Sequence, residues 1–410
     1  MSVTLAETRN PTSLRIAERG ICPACGTKAL KPVIEVKNVP TNSCLMLDTA
    51  EEAKAYPRGD IALVFCEACG FIHNATFDAQ LTEYSERYEP TQAYSPTFLK
   101  FHKGLAERIT AGHDFKGKTI VEVGCGQGEF LHLLCKIADA QGVGFDPCLD
   151  QRREDQVEER VDDVKLVGDF FSEKSIHGLK ADFLASKMTL EHIPAVDNFA
   201  SVVEQLARQS TPGMRIFIQI PESERILKDC AFEDVYYEHC NYFTETSLKG
   251  LFARHGFSIE GVSREYDGQY LAITGVYTGK ASVPGMAGEV TRLKEMVATF
   301  KTAFAKKIAE WNKIVEDRTK AGKRVVIWGS GSKGVSFLAA LSNNELISHV
   351  VDINPNRQGK FMVGTGHAIV GPADLATIKP DTVIVMNPVY KQEIAEMLAR
   401  HGLKPELLAL

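Results

Sequence analysis

Hydrophobic and polar positions alternate in two rhythms along this chain. From residue 117 to 280, short apolar runs such as 120–123 are separated by stretches of helical periodicity. That alternation predicts βα units and a mainly parallel sheet. Residues 322–410 repeat the signature. Between them Val290, Leu293, Met296, Phe300, Phe304, Ile308, Trp311 and Ile314 recur at helical spacing, which predicts a long amphipathic connecting helix over 284–321. Residues 1–75 follow neither rhythm and form a separate small unit. The α/β domain is expected over 76–283, opening with a tyrosine-rich loop and a helix, and a second α/β domain over 322–410.

The small unit holds two cysteine pairs, Cys22-Pro-Ala-Cys25-Gly and Cys66-Glu-Ala-Cys69-Gly. Each is a tight turn with a glycine suited to left-handed backbone, and each can aim two thiolates at one ion. Four such ligands make a closed structural zinc site, with no position left for a catalytic water. The other six cysteines read as small buried residues.

In the first α/β domain, 120–130 reads IVEVGCGQGEF: a strand carrying Glu122, then a turn with Gly124, Gly126 and Gly128, then a helix start. A second strand ends in Asp146. Dinucleotide sites share this layout, but the GxGxG spacing after an acid resembles motif I of class I S-adenosylmethionine (SAM) methyltransferases. In that resemblance the glycines admit the methionine part of SAM and Asp146 takes the ribose hydroxyls. Asp169 and Phe170 cap the adenine. Ser186 ends the strand before a loop, 187–193, that closes over the sulfonium.

With these segments in order, about 390 residues resemble the sugar C-methyltransferases of deoxysugar pathways, which methylate carbon 3 of nucleotide-linked 4-keto-6-deoxy sugars. The implied fold is a class I SAM methyltransferase Rossmann-like domain between a four-cysteine zinc domain and a C-terminal Rossmann-like domain. The family pattern NVLEH reads Met188-Thr-Leu-Glu-His192 here, and YHEHxxYF reads Tyr236-Tyr237-Glu238-His239-Cys-Asn-Tyr-Phe243. Methylating carbon requires removing a proton alpha to a ketone. His239 is the expected base, Tyr236 or His192 the expected donor to the enolate oxygen, and Glu238 the acceptor that orients a histidine. Glu191 reads as structural. Met188 and Tyr237 depart from the pattern where substrate is expected, so the sugar and the methylated position stay open. Tyr84 and Tyr88, with Tyr94, are expected as a lid over substrate.

The second glycine turn, Gly329-Ser-Gly331-Ser-Lys333-Gly334, precedes a strand ending in Asp352. By itself it fits an NAD site; the resemblance assigns it to the nucleotide-sugar, with Lys333, Arg357 and Lys360 on the diphosphate. Charge narrows the partners further. A formal net charge of −6 gives no support for nucleic-acid binding, and no apolar run approaches the ~18 residues of a membrane helix. Without an apolar leader segment at the N-terminus, the chain is expected in the cytoplasm as a monomer or homodimer. Two other functions remain compatible with the residues: O- or N-methyl transfer to another small molecule, and a non-catalytic SAM- or nucleotide-binding zinc protein.

Overall fold

Three sheets carry the chain, and the segment 232–243 touches all the parts that surround them. The structure, a computed structural model, describes residues 20–85, 87–149, 160–283 and 285–410; residues 1–19, read above as leader-free, lie outside the described residues. The first sheet takes β1 (Leu30–Pro40), β2 (Arg58–Cys66) and β3 (Ile72–Asn74), all antiparallel. The second takes β4 (Thr119–Val123), β5 (Gln141–Phe145), β6 (Val164–Val167), β7 (Phe183–Lys187) and β8 (Arg215–Pro221). After these, β9 (Asn241–Tyr242) leaves to complete the first sheet, pairing Tyr242 with Ile72 and Asn241 with His73. β10 (Phe257–Glu265) and β11 (Tyr270–Tyr277) return to the second.

The order of the second sheet is β6-β5-β4-β7-β8-β11-β10, with β11 alone reversed. Counted within this sheet the order is 3-2-1-4-5-7-6, a mostly parallel sheet as expected for the first α/β domain. Alternation along the strands sets its two faces. Val121 and Val123 pack with Leu184, Ile216 and Ile218, while Ile120 packs with Phe183, Ala185 and Phe217. Ligands of such sheets bind beyond the carboxyl ends of the strands, where the order reverses. Here that edge is made by the β4, β5 and β7 ends.

The third sheet is parallel throughout: β12 (Val325–Trp328), β13 (Ile347–Val351), β14 (Ile369–Val370), β15 (Thr382–Val385) and β16 (Glu406–Ala409), in the order β14-β13-β12-β15-β16. The connecting helix runs over Ala287–Lys320. Val290, Leu293, Phe300, Phe304 and Trp311 are buried along it, with Met296, Ile308 and Ile314 packed at the margin. Its apolar stripe joins the first sheet and the third in one hydrophobic core with Ile61, Tyr237, Val325 and Phe337. Each buried aromatic there contributes roughly 2 kcal/mol. Among the described residues no helix is long and apolar enough to cross a membrane.

Candidate active site

The glycine turn at the end of β4 is built from left-handed backbone. Gly124, Gly126 and Gly128 have φ of 73°, 57° and 89°, a region that side chains with a Cβ disfavour. Position 124 is also closed by space: a Cβ would lie 1.9 Å from Thr189 Oγ1. The turn and the loop after β7 therefore meet with no room for a side chain. Asp146, at the end of β5, accepts from the Gly126 amide (2.9 Å) and the Cys148 amide (2.7 Å). Burial raises its carboxyl, opposed by these amides. Asp169 is exposed and accepts from the Phe170 amide at 2.7 Å, with Phe170 half-buried beside it. Ser186 is buried and its hydroxyl has no partner.

Glu122 sits behind this turn with a buried neighbour that the sequence reading did not assign. Burial pushes its carboxyl up to about 7, opposed by the charge of Lys187. Lys187 Nζ lies 2.7 Å from His102 Nε2 and 3.8 Å from the Phe130 ring centre. Burial lowers this lysine to about 8.

Beyond the β7 end, the loop 188–193 and the segment 236–239 face each other. His239 Nε2 is 2.6 Å from the Tyr236 hydroxyl, and its Nδ1 has no partner. The His192 and His239 rings are 4.9 Å apart, edge to face. His192 Nδ1 lies 3.1 Å from the carbonyl of Glu238 and 3.2 Å from the Tyr84 hydroxyl. A carbonyl only accepts, so Nδ1 carries the hydrogen and Nε2 keeps its lone pair. Burial takes His192 down to about 4 and His239 well below the ordinary range. Both imidazoles are neutral at pH 7. Burial likewise keeps the Tyr236 phenol protonated.

Glu191, read as structural in the sequence, enters the same cluster. It is 1% exposed and neither carboxylate oxygen has a hydrogen-bond partner. Its Oε1 is 3.9 Å from His239 Nε2, too long for a hydrogen bond. Burial prevails, opposed by the residue's own backbone amide, and the carboxyl is raised to about 8. Asn241 holds this loop through its side-chain amide, which donates to the Leu190 and Ile193 carbonyls (3.2 and 2.6 Å).

Two expectations are corrected by the direction in which side chains point. The Glu238 carboxylate does not accept from a histidine; its backbone carbonyl does. The side chain turns to the first domain, where Asn42 Nδ2 (3.0 Å) and the Ser43 hydroxyl donate to it. Ser43 Oγ lies in turn 2.7 Å from Ser332 Oγ, at the start of the helix Ser332–Ala340. The Tyr237 side chain is likewise turned elsewhere, 1% exposed. It faces away from Tyr236 into the core, its ring over Gly59 and beside Phe77, its hydroxyl accepting from the Asp78 amide at 2.9 Å. Residues 237–238 form a turn, and Tyr237 is buried in the core that holds Ile61, Phe77 and Val235.

Met188 stands at the family's asparagine position with φ +51°. Asparagine tolerates left-handed backbone better than methionine, so local conformation accounts for an asparagine there without a substrate contact. Tyr84 and Tyr88 pack edge to face, ring centres 5.4 Å apart, beside His192.

The three expected diphosphate cations are all engaged within the protein. Lys333 Nζ pairs with buried Asp234 at 2.5 Å, and Arg225 pairs with the same carboxylate. Arg357 is buried, donating to Ser330 Oγ (3.1 Å) and the Glu89 carbonyl. Lys360 reaches Asp48 at 2.5 Å. Arg357 and Lys360 line one small cavity with Ser43, Cys44 and Ser330, at the junction of the first and third sheets.

The four expected zinc ligands come together. Cys22 and Cys69 sulfurs are 3.7 Å apart, as are those of Cys25 and Cys66, and all four lie within 4.8 Å of one another. Asn42 and Ser43, which donate to Glu238, had no signal in the sequence; Ser332, which touches Ser43, lies within the second glycine turn.

Residues 98–262 match the family model of a methyltransferase domain, and residues 288–403 that of a C-methyltransferase C-terminal domain. C-methyltransferase NovU of Streptomyces niveus is 26% identical over 302 residues, covering 68% of this chain and 69% of the relative. Among solved structures, a putative SAM-dependent methyltransferase from Listeria monocytogenes aligns with 44% of this chain and 99% of its own at 14% identity and a TM-score of 0.36. The 1,6-didemethyltoxoflavin-N1-methyltransferase of Burkholderia thailandensis, with bound S-adenosylhomocysteine, aligns with 45% and 81% at 18% identity and a TM-score of 0.35.

Proposed function

The chain is a SAM-dependent C-methyltransferase, and we propose that it methylates a nucleotide-linked keto-deoxysugar at the carbon alpha to its ketone, C-3, with His239 as the base. The observation that carries this reading is the buried Tyr236–His239 pair, 2.6 Å apart, with an unpartnered Nδ1 on a neutral imidazole.

The tautomer with hydrogen on Nε2 donates to the Tyr236 oxygen and leaves the Nδ1 lone pair bare. Nδ1 then takes the alpha proton as the C–H bond breaks. The Tyr236 hydroxyl, still holding its hydrogen, donates to the oxygen on which enolate charge develops. His192 cannot donate from Nε2 while neutral, so the oxygen falls to Tyr236, with Tyr84 adjacent. Bound SAM supplies the electrophilic methyl group. The residues fit it: the turn admits no Cβ at 124, Asp146 stands at the next strand end, and the Ser186 hydroxyl is unpartnered. Carbon as acceptor displaces O- or N-methyl transfer, in keeping with the C-methyltransferase C-terminal domain.

Arg357 and Lys360 are the contacts proposed for the diphosphate, because they line the cavity beside Ser43 and Glu238. The four cysteines are assigned to structural zinc. A tetrahedron with arms of ~2.3 Å has edges of ~3.8 Å, close to the 3.7 Å sulfur separations.

The test is solvent exchange. In deuterated water without SAM, a panel of nucleotide-linked keto sugars should gain deuterium alpha to the ketone. His239→Ala should abolish exchange and methyl transfer while leaving SAM affinity within about twofold. Exchange that survives in His239→Ala but is lost in His192→Ala would move the base to His192.

A further inference from the structure

The helix Ser332–Ala340 belongs to the third sheet, yet one of its faces grips the segment that ends in Tyr236 and His239. The Ser336 hydroxyl donates to the carbonyl of Val235 at 2.8 Å and shares that one hydrogen with the carbonyl of Phe232 at 3.3 Å. Lys333 Nζ holds the Asp234 carboxylate at 2.5 Å, and both groups are largely buried. The Ser332 hydroxyl lies 2.7 Å from Ser43, the residue that donates to Glu238, and its dipole acts on the Tyr236 phenol. Phe337 packs on Phe232, ring centres 6.2 Å apart, and on Trp311 of the connecting helix at 5.7 Å. Residues 332, 333, 336 and 337 share one helical face, and every group on it meets 232–236 or the residues that support Glu238. The helix start packs directly on its own glycine turn: a Cβ at Gly334 would sit 2.4 Å from the Gly329 carbonyl.

We propose that Ser332, Lys333 and Ser336 are positioning residues for methyl transfer, holding backbone 232–236 in the register that sets the Tyr236 hydroxyl against His239. Two carbonyls and one carboxylate hold the single short turn 232–235, and a shift of about 1 Å in a hydrogen-bonded pair of 2.6 Å removes the bond. Lys333 thereby serves the catalytic segment and not the diphosphate. The helix begins at the second glycine turn, so whatever seats there bears on Tyr236 through a single helical turn. This inference rests on the His239 reading only for its kinetic arm.

The substrate-independent arm is nitrogen-15 NMR of histidine-labelled full-length protein. Lys333→Met and Ser336→Ala should each displace the His239 Nε2 resonance, with SAM affinity by calorimetry within about twofold of the parent; Lys333→Arg should restore it. The kinetic arm uses the keto-sugar panel: Lys333→Met should lower kcat at least tenfold with KM within threefold, and Lys333→Arg should recover it. An unmoved His239 resonance in folded Lys333→Met and Ser336→Ala overturns the proposal. So does a raised KM with intact kcat in Lys333→Met, which would return Lys333 to the diphosphate. A displaced resonance with no turnover by the parent protein supports the positioning role and counts against the keto-sugar reading instead. If Lys333→Met does not fold, Ser336→Ala alone decides the same two readouts.

Discussion

Replacing Glu191 by glutamine should make the protein more stable above pH 8 and change little below pH 4.5. The carboxyl is 1% exposed, neither oxygen has a donor, and burial raises it from 4.5 to about 8. In the unfolded chain it ionises above about 4.5; in the folded protein it stays protonated until about 8. A group raised in this way contributes stability that is fully present below the unfolded value and is lost as pH rises through the folded value. The interval at about 1.4 kcal/mol per pH step gives a ceiling of about 5 kcal/mol. Entry of a water beside the ionised carboxylate lowers that figure. Glutamine keeps the shape and does not titrate, so the other raised carboxyls, Glu122 and Glu238, cancel between the two proteins. Urea unfolding followed by intrinsic fluorescence at pH 4, 6, 7 and 9 measures the difference. The parent should lose ground to Glu191→Gln progressively from pH 4.5 to 8 and then level off. A difference that is flat across that range refutes the assignment of a neutral, unpartnered acid. A difference of the opposite slope would mean that Glu191 is ionised and paired with a protonated His239.

Gly124→Ala forces a left-handed alanine and drives its Cβ into Thr189; SAM affinity by calorimetry should fall at least tenfold. Met188→Asn relieves left-handed methionine and should stabilise the protein by about 1 kcal/mol, read as a rise in the thermal midpoint. Cys66→Ser should remove one equivalent of the proposed zinc by elemental analysis and lower the midpoint, since a metal there would tie the two CxxC turns together; unchanged zinc content would move the site elsewhere. Ser43→Ala strips a donor from buried Glu238 and should cost about 1–3 kcal/mol, with the loss largest above pH 7, where that carboxyl ionises.

Local pattern carried much of this protein. Glycine turns, CxxC knuckles and the apolar stripe from Val290 to Ile314 each act over a few residues, so their spacing alone predicts the strand-turn-helix units, the converging thiolates and the helix Ala287–Lys320. The segment 236–243 was visible as a motif through its resemblance to the family pattern. What its members touch was not. Glu238 meets Asn42 across 196 positions and Ser43 across 195. Lys333 meets Asp234 across 99. Tyr237 and Tyr236 are chemically alike, and only the packing of β2 and Phe77 against one side sends the first into the core and leaves the second at His239. Glu191 carries a raised carboxyl because folding buries it with neither oxygen hydrogen-bonded. Burial and partners are properties of surfaces brought together by folding. The order of residues along the chain determines which groups are available, and the tertiary structure decides which of them meet, which stay neutral and which are left with a proton to move.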